Sequence, residues 1–264
     1  MLIQFNFENF KSFFNEAHLD MTATSSTDHM DHLIEYKKNE RYLKTLSIYG
    51  ANASGKSSVL QAFLFMRNWV LNSYALSSGT HVIPRKEFEF NNKGRTKKST
   101  FDVFFSVADS EYQYGFVVDD FSVHEEWLYK RDFRYKNDYK VIFERNNKKF
   151  NLSEELKEMG FMLKKLNNRS LVLSFLSGLT LSDIQNVFQW FNQSIVLDFG
   201  GYNGEKIISQ IAMRGLKNVP EVQENLVHFL KQVDIDVEGI IFKEKNTASN
   251  KRKNFFKKKI MFFT

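Results

Sequence analysis

Apolar and polar residues alternate over residues 2–7, the period of a half-buried strand. Residues 8–16 break that pattern, and residues 17–21 read as a short antiparallel partner. Residues 22–40 are rich in Ser, Thr, Asp, His and Lys and predict a loop, with at most a short helix. Residues 45–49 predict a compact strand running into Gly50. The helix beyond carries Val59, Phe63, Met66, Val70 and Tyr74 at steps of three and four, one apolar stripe, and Ser77-Ser78-Gly79 ends it. From Glu87 to Phe150 the period switches to two: Phe101, Val103, Phe105 and Val107 share a face, as do Tyr112, Tyr114, Phe116 and Val118. With further strands through Trp127 and Tyr129 and at Val141-Ile142-Phe143, this predicts an antiparallel meander. Helices return afterwards. Ser153 caps one, with Glu154 and Glu155 in its first turn, and others cover about 168–175, 181–191, 205–213 and 221–233. Short strands are expected at 194–197 and 237–242, and no internal repeat is visible.

Composition narrows the classes. The 264 residues are 42% hydrophobic and include 28 Phe, enough for the core of one large domain or two small ones. Without cysteine, a disulfide scaffold, an iron–sulfur or Cys-zinc site and a thiol nucleophile are excluded. No apolar run approaches the roughly 18–20 residues of a membrane span, and the first residues lack a signal's basic and apolar regions. A soluble cytoplasmic protein without a membrane partner is expected. The net charge of +6 is local: the six cations between Lys251 and Lys259 account for all of it. Residues 1–250 are therefore neutral, and the Phe-interleaved basic tail at 251–264 is a candidate contact for nucleic acid, whereas the Phe and Tyr of the meander read as core and sheet material before a base-stacking platform. A frayed, solvated terminus explains the same residues. So does out-of-frame translation of an A/T-rich tract, since Lys, Asn and Phe are encoded by such runs.

Gly50-Ala51-Asn52-Ala53-Ser54-Gly55-Lys56-Ser57 satisfies G-x-x-x-x-G-K-[ST], with a predicted strand before it and an amphipathic helix after it. Gly50 and Gly55 permit turns that side chains obstruct. The N–H groups of such a loop converge on phosphates, and the helix N-terminus adds its positive dipole. Lys56 is expected to reach the β- and γ-phosphates, and Ser57 to place its hydroxyl on Mg²⁺.

The loop continues as Ser57-Ser58-Val59-Leu60-Gln61-Ala62. With Asn52 at its third position, this resembles the ABC-type ATPases of the SMC, RecF and OLD-like group. Glu8-Asn9-Phe10-Lys11-Ser12-Phe13 is similar to the element that opens those proteins after strand one. Tyr112-x-Tyr114 and Glu126-x-Leu128 are similar to parts of their antiparallel subdomain. Within that group the chain looks most like bacterial AAA family ATP-binding proteins found at abortive-infection and phage-defence loci. The resemblance implies an α/β P-loop fold of ABC type, with a mixed sheet, an antiparallel β subdomain and a helical lobe. It implies ATP and Mg²⁺ as ligands, bound by Gly50, Asn52, Ala53, Ser54, Gly55, Lys56, Ser57 and Ser58, with Lys11 near the nucleotide. It also implies a homodimer closed around ATP, and DNA or an effector nuclease as further partner. The domain would span residues 1–250, with the loop at 50–57, the meander at about 87–150 and the helical lobe at about 153–233.

An ATPase of this type also needs a signature loop and an apolar strand ending in Asp-Glu. Leu176-Ser177-Gly178 begins like the signature, but Leu179-Thr180 breaks it. Ile195-Val196-Leu197-Asp198 has Phe199 where Glu is needed, and a hairpin turn explains Asp119-Asp120. Hydrolysis by this chain is therefore expected to be slow or absent, and the chain reads as stopping before its catalytic half, with a frameshifted tail. The rival reading is a non-catalytic, nucleotide-gated module that holds nucleic acid through the tail. Asp28-His29-Met30-Asp31-His32 offers four possible metal ligands in five residues, but no third His or Glu falls within the segment and a polar surface loop is the favoured reading. His124-Glu125-Glu126 reads as a strand-end surface and His228 as a partly buried helical ring.

Overall fold

The N-terminal strands and the central meander form one seven-stranded sheet in the computed structural model. It describes residues 1–26, 29–37, 40–76, 82–90, 93, 96–133, 138–197, 202–233, 235, 237–244 and 258–263. The chain divides into two units, residues 1–196 and 197–264.

In the first unit, β1 (Leu2–Glu8) pairs antiparallel with β2 (Ala17–Asp20), as its alternation predicts. Strands β3 (Leu33–Lys37) and β4 (Glu40–Leu43) form a separate hairpin, and helix α1 spans Lys56–Leu76. The meander is β5 (Ser99–Val107), β6 (Ser110–Val118), β7 (Val123–Asp132), β8 (Lys140–Asn146) and β9 (Lys149–Leu152). The large sheet runs β2-β1-β5-β6-β7-β8-β9, and each neighbouring pair is antiparallel. The parallel pairing of a mixed sheet is not found among the described strands.

The period of two puts Phe5, Phe7, Phe101, Val103, Phe105, Tyr112, Tyr114, Phe116 and Val118 on one buried face. Against it lie α1, α3 (Val172–Leu176) and α4 (Ser182–Gln193), beyond the short helix α2 (Gly160–Lys164). Each large apolar side chain so buried stabilises the fold by about 1.5–3 kcal/mol. The Phe105 and Trp190 rings stack at 4.0 Å. On α1 the buried stripe is Ala62, Met66, Trp69, Val70 and Ser73. The stripe read from sequence is offset from it: Val59 and Phe63 only flank the core, and Tyr74 is exposed, edge-on to Phe175.

Residues 22–40, read as a loop, hold a one-turn 3-10 helix (Met30–His32) and strand β3. The strand was hidden because its apolar residues need partners far along the chain. Tyr36 stacks on Phe133 at 4.5 Å, and Tyr42 is buried in the same small cluster as Ile3. Ser153 begins a 3-10 helix (Glu154–Met159), but its side chain makes no capping hydrogen bond. Residues 194–197 form no strand: Ile195 is 81% exposed, and no described strand lies alongside to satisfy the backbone.

Glu126 is not a surface residue. It is fully buried, accepts hydrogen bonds from the backbone N–H of Val172 (2.6 Å) and Leu173 (3.0 Å), and accepts a third from Tyr114 Oη (3.0 Å). It therefore caps α3 from another strand, satisfying donors a helix start leaves orphaned. Burial pushes its carboxyl above the usual range, opposed by the Arg145 charge and these hydrogen bonds. On the sheet's other face Asp102 accepts from Trp127 Nε1 (2.8 Å), Gln113 Nε2 (3.1 Å) and Asn6 Nδ2 (3.3 Å). The Trp127 indole crosses Gly115, where a Cβ would run into the ring and stand 2.7 Å from the Phe101 carbonyl oxygen.

The second unit contains α5 (Tyr202–Asn218), α6 (Pro220–Gln232) and the antiparallel pair β10 (Gly239–Glu244) and β11 (Lys258–Phe263). Pro220 suits the first helical position, where no N–H is needed. His228 on α6 is exposed rather than partly buried. The last part of the basic tail is not frayed, because Gly239 pairs with Phe263 and Glu244 with Lys258. Residues 251–257, Asp198 and the expected helix stop at 77–79 lie outside the described residues.

Two substitutions test this packing. Gly115→Ala should cost about 1–3 kcal/mol by overpacking Trp127; an unchanged urea midpoint would refute the close approach. Glu126→Gln presents an amide donor to a backbone donor and should cost about 1–3 kcal/mol in the same assay. Full stability would mean that the α3 N-terminus does not depend on the carboxylate.

Candidate nucleotide site

Residues 50–54 are exposed, Gly55 is buried, and α1 starts at Lys56. The loop turns through Ala53 (φ 63°) and Gly55 (φ 97°). Of the two motif glycines only Gly55 uses the left-handed region; at Gly50 the small residue leaves room for Ser54 Oγ. Ser54 N donates to Ala51 O (3.3 Å) and Ser58 N to Gly55 O (2.8 Å), which joins the loop to the helix. Lys56 Nζ donates to Gly50 O (2.8 Å) and Ala51 O (2.7 Å), so the ammonium folds back over its own loop. The first turn of α1 carries no acidic residue, which leaves the positive end of its dipole uncompensated by its own side chains. Ser57 is exposed beside it, whereas Ser58 is buried.

The turn after β1 is built against this loop. Asn9 and Lys11 take left-handed backbone (φ 51° and 49°), and Phe10 and Phe13 exchange backbone hydrogen bonds of 2.9 and 3.0 Å. Asn9 holds the turn in place: its amide donates to Lys97 O (2.6 Å) and accepts from Phe88 N (3.2 Å). The turn seats the Phe13 ring on Gly55, where a Cβ would stand 3.0 Å from Cε2. Ser12 and Ser58 share a hydrogen bond of 3.1 Å, and Lys11 Nζ donates to Gln61 Oε1. Lys11 is thus placed beside α1, and it opens onto a groove of about 510 Å³ lined by Phe10, Gln61, Phe65, Trp69 and Lys86. The structure brings Lys11, Ser12, Gly55, Lys56 and Ser58 into one neighbourhood, while Asn52, Ala53 and Ser54 form its exposed tip.

The lead-in differs from expectation. Residues 45–49 form no strand, and Leu46 and Ile48 are 40% and 41% exposed. An extended segment becomes a strand only when a neighbour takes up its N–H and C=O groups, and no described strand runs beside it.

The other candidates separate cleanly. Leu176-Ser177-Gly178 is the turn from α3 to α4: Ser177 Oγ donates to Ser174 O, and Gln185 Nε2 to Ser177 O. Asp119 belongs to the β6–β7 hairpin, where it accepts from Phe121 N and Ser122 N (both 2.8 Å) and bonds His124 Nε2 (2.7 Å). Burial raises its carboxyl pKa, but the His124 and backbone hydrogen bonds outweigh burial and hold it below the usual range. Both arrangements explain these residues without a metal or nucleotide.

A loop with glycines at 50 and 55 opening a long helix, with a lysine at the helix start and an exposed serine next to it, is the arrangement of a P-loop. Residues 46–163 match the family described as an AAA domain, putative AbiEii toxin, Type IV TA system. The match covers less than half of the chain and likens that segment to P-loop ATPase domains of an abortive-infection-associated family. The match takes in the loop, α1 and the meander, and leaves the β1 turn outside it. No curated protein matches the chain. Among the described residues no helix is long and apolar enough to cross a membrane.

Gly55→Ala should destabilise the protein by about 1–3 kcal/mol, from strain at positive φ. Phe13→Ala should relieve the crowding of the new methyl but not that strain. A Gly55→Ala variant with wild-type unfolding would contradict the loop geometry.

Proposed function

We propose that this protein binds ATP with Mg²⁺ at residues 50–57 and belongs with the SMC- and OLD-like ATPases of phage defence. The observation that carries the reading is the loop itself. An exposed turn with left-handed residues at 53 and 55 runs into a helix N-terminus that no acidic side chain neutralises. Phosphate oxygens would take the places that Gly50 O and Ala51 O now hold as neighbours of Lys56 Nζ. The backbone N–H groups around Asn52, Ala53, Ser54 and Gly55 would surround the phosphates. Ser57 would place its hydroxyl on Mg²⁺, while Ser58, tied to Ser12, would hold the β1 turn against the loop. Lys11 would extend the positive field beyond the γ-phosphate end. A bound Mg²⁺ would screen the charge on the phosphates.

Turnover by this chain alone should be slow or absent. The sequence contains no Asp-Glu pair, and the acid at Asp119 is occupied by its own hairpin. The exposed loop tip leaves room for a second protomer to close on the nucleotide, as an ATP-sandwich dimer requires.

Titration with a fluorescent ATP analogue tests the reading. Lys56→Ala should weaken binding by about tenfold or more, the effect of losing a charge-assisted hydrogen bond. Ser57→Ala should remove most of the Mg²⁺ dependence. Binding that ignores both substitutions would refute the site. A robust ATPase rate abolished by Lys56→Ala would refute the absence of turnover and leave the site standing.

A further inference from the structure

We propose that His29, Asp31 and His32 form a binding site for a transition-metal dication of the zinc class. One ligand atom from each residue can be chosen so that all three lie within 4.8 Å of one another. Asp31 Oδ2 stands 3.4 Å from His32 Nε2, and the two imidazole rings are 5.8 Å apart between centroids. Tetrahedral bonds of about 2.0–2.1 Å put adjacent ligands roughly 3.3–3.5 Å apart, so small side-chain rotations close the set.

The turn is braced by groups other than its ligands. His29 lies in the left-handed region, and His32 N closes the turn on His29 O at 2.9 Å. Lys44 reaches back from just beyond β4, donating from N to His32 O (3.2 Å) and from Nζ to Asp31 O (2.6 Å). Arg41 on β4 fastens the approach, donating to Thr24 O (3.2 Å) and Ser26 O (3.3 Å) and touching Met30 Sδ. Those braces act on the backbone and on Met30, while the imidazoles and the carboxylate face one another. The Asp31 and His32 side chains are 79% and 72% exposed, so water completes the coordination shell.

The surroundings select the ion. The turn offers one carboxylate and carries two cations, Arg41 on Met30 Sδ and Lys44 on the Asp31 carbonyl oxygen. Hard ions such as Mg²⁺ and Ca²⁺ need several charged oxygens and gain little here. Imidazole nitrogen favours Zn²⁺, Co²⁺, Ni²⁺ and Cu²⁺, which bind through covalent preference as well as charge. Two nitrogens and one oxygen leave the site open to solvent and make it exchangeable.

Cobalt titration of the full chain, freed of any polyhistidine tag, reads the site directly. The chain has no cysteine, so visible d–d absorption cannot arise from thiolate ligands. One equivalent of Co²⁺ should produce the bands, Zn²⁺ should displace it, and excess Mg²⁺ should not. His29→Ala and His32→Ala should each weaken binding by about tenfold or more, and Asp31→Asn by a smaller factor. His124→Ala, whose ring bonds Asp119, should change nothing. Circular dichroism shows whether each variant is folded. Wild-type cobalt binding by the His29→Ala/His32→Ala double variant overturns the site, as does the absence of binding at micromolar metal in the wild-type chain.

Discussion

The Phe13 ring rests on the backbone at Gly55, and the arrangement of the whole site follows from that contact. It exists because β1 is held on both sides in the large sheet, between the edge strand β2 and β5, and because the turn after β1 is locked by Asn9. The strained backbone at Asn9 and Lys11 is tolerated because Asn9 is fully buried and bonded in three directions, with Ser99 Oγ also donating to Asn9 O (2.7 Å). The start of the chain therefore becomes one wall of a loop about forty residues later, and Ser12–Ser58 and Lys11–Gln61 extend that wall along α1.

Electrostatics fix where the Lys56 ammonium rests: it satisfies two of the loop's own carbonyls. In the proposed complex, phosphate would replace those neutral acceptors by anionic oxygens, adding charge–charge attraction to hydrogen bonds that the ammonium already assists. The helix N-terminus favours the same exchange. The buried carboxylate network does the opposite job. Glu126 is confined by Val172, Leu173 and Tyr114, which couples the meander to the helical layer and leaves it no freedom for chemistry.

What could be read from sequence follows from what is local. The P-loop, α1, the β1–β2 pair and the meander strands were legible because a short pattern of glycines or a period of two sets them. The β3–β4 hairpin was not, since its apolar residues pack on Ile3, Phe104 and Phe133, far away in sequence. Glu126 was misread for the same reason: Glu-Glu before Trp127 looks exposed until α3 is placed over one of the two. The His29, Asp31 and His32 spacing was visible in sequence, but only the folded turn shows that one ligand atom from each can lie within 4.8 Å of the others. Lys11 was singled out by resemblance alone, and its partner Gln61 lies one turn further along α1 than Lys56 and Ser57.

The unpaired lead-in at 45–49 explains why a legible motif can have an illegible context. Thr45-Leu46-Ser47-Ile48-Tyr49 has the composition of a strand, and its β-branched and aromatic residues suit a pleated surface. Propensity of that kind is worth little without a ladder, because an isolated strand gains no hydrogen bonds to offset the entropy of straightening. The segment leaves β4 through Leu43, which bonds Met21 O, and enters α1 through Gly55, which is wedged under Phe13. Both ends are therefore fixed by packing, and the loop's position does not depend on the lead-in forming a strand. A loop anchored in this way keeps its place without a described strand beside its lead-in.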